Sequence, residues 1–322
     1  MRSYTESLKL IRRMAKVADG DTENNELLTT FLNDSIRAVC NIRGGKWPFL
    51  EVERGLTVQA NVGTYRIYSS LRKINDVAIS VGNTIYRPRP VYNSEDWNNI
   101  KMSNITNSDI TLYYYVQDGN INFYPKFATT TPFVIFTGRY NQPDMGIADV
   151  SQTLSISITN GQTTLTSSTS VFNASMVGKF IKISSTSAVN GGDNRWYKIS
   201  SYTSGTTLSI GSMYEGTTIA SGSNVVTIGE MSPIPEAYDM APIYRTMALY
   251  TQINDPLHSQ ISTQYWRLYD GGQEAGLSNG VGGLIGQMLE NEGSVVEDVY
   301  LSPYDDINTS PNTPPRYPIT GV

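Results

Sequence analysis

The chain has 322 residues, 39% hydrophobic and 16% charged, with a net charge of −5. That length supports two or three domains with cores of their own and the composition excludes a disordered chain, while the charge gives no general attraction to nucleic acid. The single cysteine, Cys40, excludes an intramolecular disulfide and a thiolate metal cluster.

Charge is distributed unevenly. Residues 1–150 carry about 17 basic and 15 acidic groups, residues 151–230 about 4 and 3, and residues 231–322 about 3 and 11. The acidity therefore lies at the C-terminal end. Tyrosine is frequent, at 21 residues against 8 phenylalanines. An apolar ring with a polar tip suits surfaces that meet other proteins, and it equally suits solubility. No run approaches the roughly 20 apolar residues of a membrane span. The start, MRSYTESLKLIRRMAKVA, is broken by charges too often for a secretory signal, so folding in a reducing cytosol is expected.

Residues 5–18 predict a helix, with Leu8, Ile11, Ala15 and Ala18 on its apolar side. Asp21 or Thr22 can cap a second helix, whose stripe runs Leu27, Leu28, Phe31, Leu32, Ser35, Ile36, Val39 and Cys40 to a stop at Gly44-Gly45. Cys40 on that stripe reads as a buried thiol. From Trp47 the period changes to two, with a turn at Gly82-Asn83 and a short helix over Asn93–Met102. TLYYYVQ and NINFYP flank Asp118-Gly119, a type I′ hairpin signal, and FVIFTGRY (133–140) supplies a further strand.

Residues 151–230 change composition, with about 30 of 80 residues Ser or Thr. Turns at Asn160-Gly161, Gly191-Gly192 and Ser204-Gly205 predict a small sandwich or barrel. Its apolar set is Phe172, Val177, Phe180, Ile181, Ile183, Trp196, Tyr197, Ile199, Leu208 and Ile210. A Ser/Thr-rich linker would lack such a set.

Helical patterning returns at Ser232, with Tyr238, Ala241, Ala248, Leu249 and Ile253 as inward positions. Pro242 leaves two readings open, one kinked helix or a second start capped by Asp239. Leu257, Ile261, Tyr265 and Leu268 form a further amphipathic series, and the Pro-rich end from Asn308 reads as an extended arm. The expected class is α+β. A helical platform of N-terminal (1–45) and C-terminal (231–290) helices carries a β-rich region (46–150), an inserted all-β module (151–230) and an acidic, Pro-rich arm (291–322).

Enzyme chemistry finds no support. The only histidine, His258, has no second ring for a metal pair, and no phosphate-binding glycine motif follows a strand. Catalytic residues, metal ligands and cofactors are each expected to be none.

The runs LRKINDVAISVGNTIYRPRPVYNSEDWNNI, ITLYYYVQDGNINFYPKFATTTPFVIFTGRYNQPDM and SPIPEAYDMAPIYRTMALYTQIND together resemble the head-to-tail adaptor (connector, or head-completion) proteins of tailed bacteriophages. The block around Val177, Gly178, Lys179 and Phe180 resembles a small β module of phage neck and tail proteins. The resemblance implies a structural protein of the virion neck, made in the host cytoplasm. It implies a homo-dodecameric ring docked on a portal protein and joined to a tail protein or second adaptor (nozzle). Double-stranded DNA would pass through without sequence-specific binding. Expected interface residues are Tyr113, Tyr114, Tyr115, Pro314, Pro315, Arg316 and Tyr317. The runner-up is a receptor- or glycan-binding virion protein using Trp196, Tyr197 and Tyr202 of the inserted module. A polysaccharide-degrading tailspike is weaker, because no β-helix repeat is visible.

Overall fold

Ser3 Oγ accepts from the Glu6 N–H while Glu6 Oε2 accepts from the Ser3 N–H, each at 3.1 Å, and this reciprocal cap starts α1 (Tyr4–Ala15). Lys16 then adopts the left-handed region at φ 56°, so the helix ends before Ala18, which is exposed rather than on the apolar stripe. Asp21, not Thr22, caps α2 (Thr22–Asn41) by accepting from Asn24 N–H at 3.2 Å. Leu28, Leu32, Ser35, Ile36, Val39 and Cys40 of the expected stripe are buried. The computed structural model describes residues 2–42, 47–68, 71–184, 192–254, 259–276 and 282–297. The Gly44-Gly45 stop, Gly191, Leu257, His258 and the arm residues Pro314 to Tyr317 lie outside them.

Eight strands and one helix follow: β1 (Glu51–Thr57), β2 (Thr64–Arg66), β3 (Leu71–Val81), β4 (Thr84–Tyr86), β5 (Arg89–Val91), α3 (Ser94–Met102), β6 (Tyr113–Gln117), β7 (Asn120–Tyr124) and β8 (Phe133–Tyr140). They build two four-stranded sheets, ordered β1-β8-β3-β4 and β2-β7-β6-β5. Asp118 and Gly119 both take positive φ (51° and 73°), as the type I′ signal requires, and Val116 pairs Ile121 across that turn. Val77, Ile79, Val134 and Phe136 of the first sheet share one core with Ile121 and Phe123 of the second. The pair is a small sandwich.

The next six strands close on themselves as a barrel in the order β10-β13-β12-β11-β14-β9. They are β9 (Val150–Ile158), β10 (Thr164–Ser167), β11 (Phe180–Ser184), β12 (Trp196–Ser204), β13 (Thr207–Ile210) and β14 (Ile219–Gly229). Phe172, Ile181, Ile183, Tyr197, Ile199, Leu208 and Ile210 fill it as expected, joined by Leu165, Tyr214 and Val226. Val177, read from sequence as core, is exposed in the loop after a short 3₁₀ turn (Ala174–Met176).

After the barrel come α4 (Ala241–Asn254), α5 (Ser259–Asp270) and α6 (Gly283–Glu297). Pro242 lies in the first turn of α4, behind a separate 3₁₀ turn at Glu236–Tyr238, so there is a second start, but Met240 and not the expected Asp239 stands at its cap. The Met240 carbonyl accepts the first helical bond, from Tyr244 N–H at 2.9 Å, and Asp239 Oδ1 accepts from Arg2. Three inward positions are corrected. Ile253 is exposed, and α5 turns Ser262, Trp266, Tyr269 and Asp270 inward while Ile261 and Leu268 face solvent. A ring is simply larger than a β-branched or leucyl side chain, and burying Trp266 and Tyr269 outweighs burying the aliphatic stripe. Helix α6 also continues to Glu297, past the expected start of the extended arm. Residues of α1, α2, α4, α5 and α6 form a single core with Trp47, Leu50 and Met145, so both ends of the described chain meet in one bundle.

The passage between sandwich and barrel is stitched down. Asn33 of α2 donates to the Met145 carbonyl (2.8 Å) and accepts from the Met145 N–H (2.9 Å), binding the 141–149 segment as a strand partner would. Glu230, just past β14, accepts from Gly146 and Ile147 N–H (2.9 and 3.1 Å), and its carbonyl accepts from Tyr4 N–H (2.8 Å). Asp149 accepts from Ser3 Oγ, and Lys182 of β11 pairs with Glu6 at 2.7 Å. Entry and exit strands are neighbours, with Val150 opposite Ile228. A module can be spliced there without parting the flanking chain.

Candidate interaction site

Successive residues of a strand point to opposite faces, so the three expected interface tyrosines of β6 cannot all serve one surface. Tyr114 packs toward the sandwich core. Tyr115 stacks with Trp97 of α3, with ring centroids 5.6 Å apart at 28°. Trp97 also meets Tyr124 of β7 edge-on at 6.4 Å, and Tyr113 lies opposite Tyr124 in the register. Asn93 caps α3 by accepting from Asp96 N–H (2.7 Å), and Lys101 sits 6.0 Å from the Trp97 ring. This is an aromatic shelf, half buried beneath a short helix.

Around the shelf lie apolar side chains that the sequence pattern had not singled out. At the two ends of α3, Tyr92 is 81% and Met102 80% exposed, and Ile105, whose N–H donates to the Tyr124 hydroxyl at 2.8 Å, is exposed as well. Tyr92 stands immediately before the Asn93 cap, where an apolar residue commonly packs back onto the first turn, and its exposure is therefore visible only in the fold. Contiguous exposed apolar groups mark surfaces that meet other proteins.

The three aromatics of the glycan alternative are not presented together. Tyr197 is buried in the barrel core beside Tyr214 (centroids 5.6 Å), donating to Asp193 and accepting from Glu215 N–H at 3.0 Å. Burial, with Asp193 close by, raises its phenol. Trp196 lies under Lys182, whose Nζ is 4.6 Å from the ring, in the seam between barrel and α1. Tyr202 is partly exposed further along β12.

The described residues contain no group of three or more His, Cys, Asp or Glu placed to hold a metal ion. Burial pushes the Cys40 thiol up to about 12, with nearby Arg72 offsetting only part of the effect, so it is protonated at neutral pH. No described helix is long and apolar enough to cross a membrane.

The sandwich thus carries an aromatic shelf beneath α3 with exposed apolar side chains at both ends of that helix. Residues 4–157 match the family model described as SU10 adaptor protein. That match takes in just under half of the chain. It spans α1, α2, the sandwich and the first barrel strand. No curated protein matches the chain.

Proposed function

We propose that the chain forms a ring between portal and tail, joining head to tail and passing double-stranded DNA. The adaptor-family match over residues 4–157 carries the reading. The shelf of Trp97, Tyr113, Tyr115 and Tyr124, rimmed by Tyr92 and Met102, fits a contact between neighbouring subunits, because closed rings repeat one heterologous interface. The barrel has no free strand edge, and five of its six strands lie beyond the matched region, which suits a decoration on the ring rather than a part of its wall.

The test is the mass of the purified chain in solution, alone and mixed with portal rings. A twelve-subunit ring, or a monomer that becomes one on the portal, supports the proposal. A stable trimer that ignores the portal overturns it. Tyr92→Ser with Met102→Ser, both at solvent-facing positions, should abolish ring assembly while leaving the melting temperature unchanged.

A further inference from the structure

Where the chain enters the barrel it leaves an open cleft of about 160 Å³. Its apolar lining comes from Ile147 and Val150 of the entering chain and from Val171, Phe172 and Met176 around the 3₁₀ turn. Ile147 is 52% and Val150 51% exposed, so this apolar surface stands open to solvent. Glu230 also lines the cleft, but its carboxylate is engaged by the Gly146 and Ile147 N–H groups. Lys179 is the one cation of the lining, and it makes no ion pair with a described residue. Cavities of about 150 Å³ take up a benzene ring, whereas small-molecule sites start at roughly 300 Å³. The cleft therefore suits one ring or leucyl side chain, not a cofactor.

A candidate for that side chain is tethered close by. Three contacts lead from α6 to the cleft: Asn291 donates to the Tyr238 hydroxyl (2.9 Å), the adjoining Asp239 accepts from Arg2, and the adjoining Ser3 donates to Asp149, which precedes Val150. Helix α6 ends at Glu297, and the sequence continues Asp298-Val299-Tyr300-Leu301-Ser302-Pro303-Tyr304-Asp305-Asp306. An extended chain spans about 3.3–3.6 Å per residue, so Tyr300 and Tyr304 can reach about 10 and 25 Å from that end. A segment tethered at such range has an effective concentration in the millimolar region, which favours it over any free partner. Its rings match the cleft in size, and Asp305 and Asp306 complement Lys179 in charge. We propose that the cleft is a docking site for the Tyr300–Tyr304 segment of the same chain, with one tyrosine ring between Ile147, Val150 and Met176. The inference is independent of the ring and portal reading, since cleft and segment belong to one chain.

The experiment is a disulfide trap in the full chain. Ser175 lines the cleft and Ser302 lies between the two tyrosines, so Ser175→Cys with Ser302→Cys should cross-link under mild oxidation. Cys40 does not compete, because burial pushes its thiol up to about 12. The product should be a cross-linked monomer, formed at the same rate on dilution. Adding Tyr300→Ser and Tyr304→Ser should slow its formation about tenfold or more, as loss of a buried ring does. Ile147→Ser, at a half-exposed position, should slow it as well with the melting temperature unchanged. The proposal is overturned if no cross-link forms or if its rate ignores the tyrosine substitutions. It is equally overturned by a disulfide-linked dimer whose formation slows on dilution, since the occupant would then be the segment of a second copy.

Discussion

The barrel and the bundle solve the same burial problem in opposite ways. Every barrel strand lies within residues 150–229, and the sheet closes on itself, so its core needs nothing from the rest of the chain. The bundle core draws on Tyr4, Leu8 and Ile11 at one end and on Ile285 and Met288 at the other. It cannot close until both ends are present. The contrast explains how a Ser/Thr-rich module can sit inside the chain: it interrupts the sequence of the bundle without interrupting its packing. It also separates the consequences of damage, since harm to one core should spare the other.

The largest expected effect comes from removal of whole pieces. Excising residues 151–227 and rejoining the chain should leave helical circular dichroism and a cooperative melt, because the excised ends are paired neighbours in the sheet. Deleting residues 1–20 should remove the bundle melt altogether. A chain that tolerates the second deletion and not the first would break the comparison. Point substitutions sharpen it. Leu28→Ala and Ile181→Ala each empty a fully buried site, and each should cost about 2–5 kcal/mol. Hydrogen exchange should localise the first loss to α1, α2 and α4 and the second to the barrel strands.

The same contrast governs what the sequence revealed. In the barrel, alternation along short strands marked six core residues correctly, because period two leaves one inward face. Residues of α2 were equally legible, since a single helix face is apolar. Helix α5 was not. It carries two apolar faces, and only the partners available in three dimensions decide that Trp266 and Tyr269 turn inward and Ile261 and Leu268 outward. The aromatic shelf was half legible: TLYYYVQ announced a tyrosine strand, yet alternation assigns Tyr114 to the core and Tyr115 to Trp97. Nor was the meeting of Arg37, Arg72 and Arg139 around one small cavity legible, because they lie on three separate elements. Their meeting is a product of the fold alone.

Smaller effects belong to the seam between the two regions. Asn33→Ala removes two hydrogen bonds and leaves the Met145 amide and carbonyl unpaired beside a buried side chain, at a cost of about 1–3 kcal/mol. Exchange protection at residues 141–149 should fall most, and the barrel strands should keep theirs. Unchanged protection in that segment would mean that Glu230 alone holds it.

The subtlest effect is a pH dependence with a defined sign. Burial raises the Asp149 carboxyl above its ordinary value of 3.8, and the hydrogen bonds from Ser3 and Thr5 offset only part of this. The folded seam therefore binds that proton more readily than the unfolded chain does, and its contribution to stability falls as pH rises from about 3.8 through the raised pKa. Glu6 behaves oppositely. Burial pushes its carboxyl up, but the Lys182 hydrogen bond and the Ser3 N–H outweigh it and leave the pKa below 4.5, so its contribution is present above that value and is lost as pH falls through the lowered pKa. Asp149→Asn removes the first dependence and keeps the second. Melting temperatures of variant and parent should converge at acid pH, and the variant should be the more stable near neutrality. If the parent instead melts higher near neutrality, Asp149 acts there as a favourable ion-pair partner of Lys182, and its burial is compensated across the seam between barrel and bundle.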